Sequence, residues 1–281
     1  MANTVATHAA MAFQPDLPAY LSRIGQPDIS GGPSLDTLQR LVLHHAQAIP
    51  FENLNPFAGL PVSLALRDIE RKLVRERRGG YCYEHNLLFG AVLRALGYTV
   101  DDLSARVLWN RPDNAITPRS HMLLAVRLDD GPRIVDVGFG GQTPTGALHL
   151  LAGLAQDTPH GQSRLLRDDA FWRLQSRVQE QWRTLYRFDL QPAYQVDYEV
   201  SNYYLSTHPD SHFVTGLVAA RPIPGGRLAL QGRDYAEHRL DGPSTRRRLA
   251  TAADIRAVLR DAFGLSLPDT PALDRRLDVL P

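Results

Sequence analysis

Apolar positions recur at helical spacing through the first hundred residues of the chain. Ser34 is a candidate N-cap for a helix whose apolar face follows at intervals of three and four: Leu35, Leu38, Leu41 and Val42. The same spacing, with stop signals at Gly25, Pro50 and Gly97, predicts four helices over 16–25, 34–49, 66–75 and 82–96. The segment PFENLNP, residues 50–56, lies between two prolines and is predicted to be a loop.

The hydrophobic pattern becomes strand-like from Tyr98 onward. Runs rich in β-branched and aromatic residues predict strands over 98–109, 121–128, 133–139, 171–178, 180–190 and 195–205. Short neighbouring strands without long helices are typical of an antiparallel barrel or sandwich. A hairpin across 224–226 and a helix over 252–263, capped by Thr251, follow. We therefore predict an α+β chain in three units: a helical one over 1–98, a β unit over 99–205 and an α/β unit over 206–281.

Composition excludes several classes of protein. The 281 residues include 43% hydrophobic and 22% charged residues, as in ordinary globular proteins. With 31 basic and 30 acidic residues the net charge is +1, so we expect neither nucleic-acid nor membrane binding, and we interpret Arg246–Arg248 as a solvated run. No apolar stretch approaches the roughly 20 residues of a membrane span, and the first residues do not resemble a signal peptide.

The single cysteine, Cys82, lies in the segment RRGGYCYEHN, residues 77–86. One thiol without an export signal indicates a reducing cytoplasm, and it excludes the usual structural zinc sites, so no metal is expected. A helix that begins at Cys82 would place the sulfur near free N–H groups and favour the thiolate, and Gly79 and Gly80 would let the backbone turn sharply and leave room for a second molecule. Free cysteines are also often buried as small apolar residues. The segment alone supports two interpretations of Cys82 equally, a reactive nucleophile and a buried core residue.

A nucleophilic cysteine needs a base and a group that orients the base. His85 is three residues along the same predicted helix, so its ring is expected to point away from the sulfur. His121 begins a predicted strand, and Asp136 lies among apolar residues of the next one. If Asp129 and Asp130 form a two-residue turn, residue 123 faces Asp136, and His121 becomes its diagonal neighbour on the same face. A three-residue turn would place the two side chains on opposite faces.

The segments around these residues resemble the arylamine N-acetyltransferase family. The resemblance is carried by RGGYCYEHN at Cys82, SHMLL at His121 and IVDVGFGG at Asp136, together with AYLSRIG (19–25), PFENL (50–54) and STHPDSHF (206–213). It implies a helical bundle, a central antiparallel β-barrel and an α/β lid with a Cys-His-Asp core like that of cysteine proteases. It also implies acetyl transfer from acetyl-CoA, as a co-substrate, to an arylamine or hydrazine nitrogen through an acetyl-cysteine thioester, in ping-pong order.

The resemblance extends to the binding residues. Cys82 is implied as the acyl-accepting nucleophile, His121 as its base and Asp136 as the group that orients the imidazole. Positions similar to those lining the family's acceptor pocket are Phe51, Phe139 and Phe213. Positions expected to contact CoA are Thr117, Ser120, Gly140 and Gly141. Arg78 and Glu84 are interpreted as an ion pair that supports the cysteine loop.

Two other classes of protein remain as alternatives. A cysteine hydrolase of the papain or transglutaminase type uses the same Cys, His, Asp order, although the chain lacks a papain-like CGSCW segment. The second alternative is a binding protein that has this fold but no catalytic activity. We expect small-molecule partners only, a CoA thioester and an amine acceptor, and a monomer or weak homo-oligomer.

Overall fold

A computed structural model describes residues 13–29 and 31–281 of the chain. Its helices in these ranges are α1 Leu17–Arg23, α2 Leu35–Ala48, α3 Leu54–Phe57, α4 Leu66–Glu70, α5 Cys82–Ala95, α6 Gln195–Thr207, α7 His212–Thr215, α8 Ala252–Ala257 and α9 Pro271–Asp278. Helices α4 and α8 each continue into a π-helical turn, over Arg71–Arg75 and Val258–Ala262. None of the helices in the described ranges combines the length and the apolarity needed to cross a bilayer.

The central sheet is a nearly closed antiparallel barrel of eight strands, in the order β5-β4-β3-β2-β9-β8-β7-β6. The strands are β2 Thr99–Val107, β3 Arg119–Leu128, β4 Gly131–Val135, β5 Leu148–His149, β6 Ala155–Thr158, β7 Gly161–Asp168, β8 Phe171–Val178 and β9 Gln181–Pro192. The Gln156 side chain bonds the backbone of His149 at 2.7 and 2.9 Å, which joins the first and last strands of this order. The barrel confirms the predicted α+β fold class.

A second antiparallel sheet has the order β1-β10-β11-β12-β13. Its strands are β1 Phe51–Glu52, β10 Val218–Ile223, β11 Gly226–Gln231, β12 Asp234–Arg239 and β13 Thr245–Arg248. The edge strand β1 comes from the predicted loop 50–56, which also contains α3. The C-terminal sheet therefore includes a strand from the N-terminal part of the chain.

The predicted strand over 195–205 is wrong, because this segment forms helix α6. The Asp197 carboxylate accepts a hydrogen bond from the Tyr194 N–H at 2.8 Å and closes the first turn. The buried face contains Tyr198, Asn202 and Leu205, at helical spacing. Aromatic and β-branched residues made the segment look like a strand, but its capping residue and buried face favour a helix.

Helix α5 is the centre of the molecule. All of its residues from Cys82 to Leu93 are buried, so the helix is enclosed on every side. It contacts β3 and β2 of the barrel on one side and α4 on another. A cysteine at its first turn is thereby held by elements from both the helical part and the barrel.

Candidate active site

Cys82 occupies the first position of α5, and its side chain is buried. The Glu84 carboxylate accepts a hydrogen bond from the Tyr81 N–H at 3.1 Å and fixes the start of the helix. The sulfur lies 3.8 Å from the carbonyl oxygen of Ser120, which directly precedes His121. The structure thus brings the thiol to the strand that carries the predicted base.

Gly79 and Gly80 allow close packing, which differs from the sharp turn and open space expected of them. Neither residue has a positive φ. A Cβ on Gly79 would lie 2.1 Å from the Pro50 carbonyl oxygen, and a Cβ on Gly80 would lie 2.6 Å from the Glu84 carboxylate. The space beside the glycines is therefore filled by protein atoms.

The predicted ion pair between Arg78 and Glu84 is wrong. Arg78 pairs with the buried Glu52 at 3.1 Å, and Glu84 pairs with Lys72 at 2.7 Å. Lys72 also lies 4.0 Å from Glu52, so two carboxylates and two cations form one connected cluster. Because its charges balance, this cluster joins β1 to the start of α5 without leaving an unpaired buried charge.

His121 and Asp136 form a short hydrogen bond. His121 lies on β3, and Asp136 directly follows β4, so the predicted strand over 133–139 ends earlier than expected. The turn pairs Leu128 with Gly131, as the two-residue turn requires, and this register brings the side chains together. His121 Nε2 donates to Asp136 Oδ2 at 2.7 Å, and both residues are at most 3% exposed.

The imidazole of His121 has Cys82 as its second polar neighbour. Burial lowers the pKa of His121, but the charge and hydrogen bond of Asp136, and then Cys82, outweigh burial and raise it to about 10. Burial raises the pKa of Asp136, and attraction to His121 outweighs it, so that the pKa lies below its usual value. At neutral pH the pair is therefore an imidazolium and a carboxylate.

Asn86 and Tyr186 are two further polar residues at this site that sequence reasoning missed. The Asn86 amide donates to the carbonyl of Met122 at 2.8 Å and to Asp136 Oδ1 at 3.1 Å, and it accepts from the Val137 N–H at 3.2 Å. It joins α5, β3 and the segment after β4. Its position one helical turn after Cys82 was the signal that could have identified it.

Tyr186, on β9, packs against the histidine. Its ring centroid lies 5.0 Å from that of His121. Burial raises the pKa of the Tyr186 hydroxyl well above its usual value, and the nearby Asp136 carboxylate adds to this. Nothing in the local sequence distinguishes Tyr186 from other barrel aromatics, because its position depends on strand register.

His85 belongs to a buried chain of hydrogen bonds that points away from the sulfur, as predicted. His85 Nε2 donates to the Pro50 carbonyl at 3.2 Å, so its Nδ1 accepts from His45 Nε2 at 2.9 Å. His45 Nδ1 then accepts from the Tyr20 hydroxyl at 2.8 Å. Burial lowers the pKa of His85 to about 4. His85 is neutral at pH 7 and holds the backbone next to Phe51.

One of the three predicted acceptor-pocket aromatics contacts the histidine, and the other two belong to or pack against the apolar cluster that contains the cysteine. Phe51 is in the same apolar cluster as Cys82, and Phe213 packs against that cluster. Their ring centroids are 6.0 Å apart. Phe139 stands at 90° to the His121 ring, at 5.3 Å. Phe139 and Phe213 are both half-buried, so each presents part of its ring to solvent.

The predicted CoA-contacting residues fall into two groups. The Thr117 hydroxyl donates to the Val107 carbonyl at 2.9 Å, and the Ser120 carbonyl faces the sulfur of Cys82. Gly140 has a φ of +90°, and a Cβ there would lie 3.5 Å from the Phe51 ring. Gly141 is exposed, with no heavy atom within 4 Å of a built Cβ, so a ligand could approach its backbone.

Comparison with known proteins places the chain in a family. A sequence model of the N-acetyltransferase family matches residues 34–272. The arylamine N-acetyltransferase of Mycobacterium tuberculosis (strain H37Rv) is 46% identical over 273 residues, covering 94% of this chain and 95% of that protein. The solved structure of the Mycobacterium marinum arylamine N-acetyltransferase superposes with a TM-score of 0.90 at 43% identity, covering 94% of this chain and 99% of that one.

A solved structure of the Mycobacterium marinum enzyme in complex with CoA is also similar, with a TM-score of 0.89 at 43% identity, covering 94% and 99% of the two chains. No group of three or more His, Cys, Asp or Glu side chains that could hold a metal occurs within 13–29 and 31–281. A buried cysteine beside an imidazolium and a carboxylate has the groups that covalent acyl transfer requires. The chain belongs to the arylamine N-acetyltransferase family.

Proposed function

We propose that this chain transfers an acetyl group from acetyl-CoA to the nitrogen of an arylamine or hydrazine, through an acetyl thioester on Cys82. The observation that supports this most directly is the 2.7 Å hydrogen bond of His121 to Asp136, on the strand whose Ser120 carbonyl lies 3.8 Å from the sulfur of Cys82, in a chain of this family. An imidazolium beside the sulfur stabilises the thiolate, which is the nucleophilic form of cysteine.

In the first step, the Cys82 thiolate attacks the carbonyl carbon of acetyl-CoA. A new C–S bond forms, the C–S bond to CoA breaks, and the CoA sulfur leaves with the proton of His121. Asp136 keeps Nε2 of His121 occupied, so the ring presents its other nitrogen to the reacting groups. The products of this step are acetyl-Cys82, free CoA and a neutral imidazole.

In the second step, an amine nitrogen attacks the carbonyl carbon of acetyl-Cys82. The neutral His121 takes a proton from the nitrogen as the C–N bond forms and the bond to Cys82 breaks. This returns the Cys82 thiolate and the His121 imidazolium, and Asp136 stabilises the positive charge in each cycle. One base therefore serves both steps, with opposite directions of proton transfer.

The acceptor is proposed to be a small aromatic amine or hydrazine. Phe139 packs against His121, and Phe51 and Phe213 pack against each other at the apolar cluster that contains Cys82. Aromatic rings favour stacked or edge-on contacts with an aromatic acceptor. The CoA donor is proposed to pass Ser120 and the Gly140–Gly141 segment. A thiolate nucleophile also suits a reducing compartment, which agrees with the proposed cytoplasmic location.

The test is acetylation of the protein in the absence of acceptor. Intact mass spectrometry after incubation with acetyl-CoA alone should show one added acetyl group on the native chain and none on Cys82→Ala. An arylamine should then remove the group and form the acetylated amine. Release of acetate with no acetyl-protein would instead indicate a cysteine hydrolase.

The order of the steps is tested by initial rates with both substrates varied. Ping-pong transfer predicts parallel double-reciprocal lines. Intersecting lines would indicate direct transfer in a ternary complex and would contradict the acetyl-cysteine route.

A further inference from the structure

Helix α6 is apolar on two opposite faces. Its inner face, which contains Tyr198 and Leu205, is buried against the rest of the chain. Val196, Val200 and Tyr203 follow one another at intervals of four and three residues, so they form a stripe along the outer face. These three residues are 64%, 75% and 73% exposed. A helix with apolar residues on opposite faces is normally buried on both, so the outer face of α6 lacks the cover that its composition indicates.

The exposed apolar residues of the described chain are concentrated on this helix. Of the twelve large hydrophobic residues that are exposed in the described ranges, four lie on α6. They are the three residues of the stripe and Tyr204, which is four residues after Val200 and therefore its neighbour on the helix surface. We call these four residues the α6 patch. Scattered exposed hydrophobic residues are ordinary, whereas a contiguous group of them marks an interaction site.

The chain holds α6 in a fixed position beneath this patch. The Tyr198 hydroxyl donates to the carbonyl of Leu103 in the barrel, at 3.1 Å. The Asn202 amide donates to the carbonyl of Val62 in the N-terminal part, at 3.0 Å. A surface on a rigid helix loses little conformational freedom when a partner binds, so a small interface can be stable.

The charges of α6 restrict the kind of partner. The helix contains neither lysine nor arginine, and its two charged residues are Asp197, whose carboxylate closes the first turn, and Glu199. Nucleic acids and anionic membrane surfaces bind to basic residues, so neither suits an apolar patch beside carboxylates. The partner has to offer an apolar surface of its own. A second copy of this chain offers one of the same length and composition.

The spacing of the patch is self-complementary. Val196 and Tyr204 lie four residues before and four residues after Val200. In an antiparallel pair with a two-fold axis at Val200, each Val196 would contact Tyr204 of the other copy, and the two Val200 side chains would meet at the centre. Contacts of this reciprocal kind are what a symmetric homodimer requires.

The area of the patch is sufficient for a weak dimer. With roughly 200 Å² for a fully exposed tyrosine and less for a valine, the patch presents roughly 400 Å². Two patches and a polar rim would bury about 1,000–1,200 Å² in total, which is the lower end of the range for specific interfaces. Association through α6 is therefore expected to be reversible, with a dissociation constant in the micromolar range.

We propose that two copies of this chain associate through their α6 patches into a weak homodimer with its two-fold axis at Val200. The patch lies on the face of α6 opposite Asn202, which bonds the Tyr81 hydroxyl next to Cys82. The dimer therefore forms on the side of the helix away from the nucleophile. The proposal does not depend on acetyl transfer and stands or falls separately from the proposed function.

The test is sedimentation velocity over roughly 1–300 µM protein. Native protein should change from monomer to dimer within this range. Val200→Lys should raise the dissociation constant at least tenfold, because each dimer would bring two cations together at its axis. Lysine favours a helix at least as well as valine, so α6 should still form. The matched control is Val279→Lys, at an equally exposed valine (76%) directly after α9, and it should change the constant less than twofold.

Native protein that remains monomeric up to about 300 µM would overturn the proposal. A dimer of unchanged strength in Val200→Lys would also overturn it, since another surface would then form the interface. The dimer should persist in about 1 M NaCl, and dissociation there would contradict an apolar interface, because salt at this concentration screens charge interactions. Circular dichroism verifies folding, and Tyr203→Lys replaces Val200→Lys if the latter does not fold.

Discussion

At the scale of single residues, the charge of His121 depends on Asp136. The carboxylate is the largest influence that raises the pKa of His121, to about 10, against the opposing effect of burial. Without that charge, burial should favour the neutral imidazole, and the sulfur of Cys82 would lose its cationic neighbour. Asp136 therefore controls the protonation state of His121.

We predict that Asp136→Asn slows the acetylation of Cys82 by about a thousandfold or more, the scale known for the orienting carboxylate of a serine-protease triad. The measurement is the single-turnover rate with acetyl-CoA, together with the His121 ring ¹⁵N shifts at pH 7, which should change from imidazolium to neutral. Asp101→Asn, which removes an exposed ion pair with Arg127, is the control. An imidazolium that persists in folded Asp136→Asn would exclude this role for Asp136.

The same pair makes stability depend on pH. The folded pKa of His121, about 10, is above its ordinary 6.5, so its contribution is fully present below pH 6.5 and is lost as pH rises toward 10. Asp136 has a lowered folded pKa, so its contribution is present above its ordinary value of 3.8 and is lost as pH falls below that.

We predict that the urea midpoint of the native protein falls between pH 6.5 and 10, and falls less in His121→Gln. Other groups titrate in this range, so the difference between the two proteins isolates His121. The measurement is equilibrium unfolding at three or four pH values across the window. An equal change of the urea midpoint with pH in both proteins would show that protonation of His121 does not contribute to stability in this pH range.

At the scale of secondary-structure elements, the site depends on how closely α5 approaches the segment after β4. A Cβ on Gly138 would lie 2.9 Å from the Cα of Cys82 and 3.0 Å from the Cβ of His85. The nearest of these atoms is backbone in a fully buried helix, so it has no free space to move into. Glycine at this position allows Asp136 and the cysteine to share one site.

We predict that Gly138→Ala separates the two elements and lowers acetylation of Cys82 at least tenfold, with a free energy of unfolding reduced by about 1–3 kcal/mol, as for overpacking of a core. Gly32→Ala is the matched control, because a Cβ on this exposed glycine meets no heavy atom within 4 Å. Single-turnover rates and urea unfolding of both variants test this. A Gly138→Ala protein with native activity would mean that the helix and the segment can move apart without effect.

The sequence was sufficient for the elements whose pattern is local. The start of α5 follows from Gly79, Gly80 and the apolar run beyond them, and the register of β3 with β4 follows from a two-residue turn. It failed for α6, where valines and a tyrosine at alternate positions, Val196, Tyr198 and Val200, resembled a strand. It also missed Tyr186, whose distance from His121 depends on the pairing of β2 with β3 and β9, where bulges shift the register. Such contacts depend on tertiary structure that no local pattern encodes.

At the scale of the whole molecule, the N-terminal and C-terminal parts meet beside Phe51 and Phe213. Strand β1 pairs with β10. Asn53, directly after β1, forms hydrogen bonds with three backbone groups in the segment 213–218. Its amide donates to the carbonyls of Phe213 and Gly216 at 2.7 and 2.6 Å, and its oxygen accepts from the Val218 N–H at 2.7 Å. Asn53 is 1% exposed. One side chain therefore fixes the position of Phe213 relative to Phe51.

We predict that Asn53→Ala lowers the free energy of unfolding by about 2–4 kcal/mol, because three backbone groups lose their partner in a buried place. The variant should also raise KM for the arylamine more than KM for acetyl-CoA, since Phe213 is released while Cys82, His121 and Asp136 keep their own contacts. Asn114→Ala, which removes an exposed surface amide at a position without a positive φ, is the control. The measurements are urea unfolding and ping-pong kinetics with each substrate varied. If both KM values rise together, the contact of Asn53 with Phe213 supports the fold as a whole and has no separate effect on binding of the arylamine.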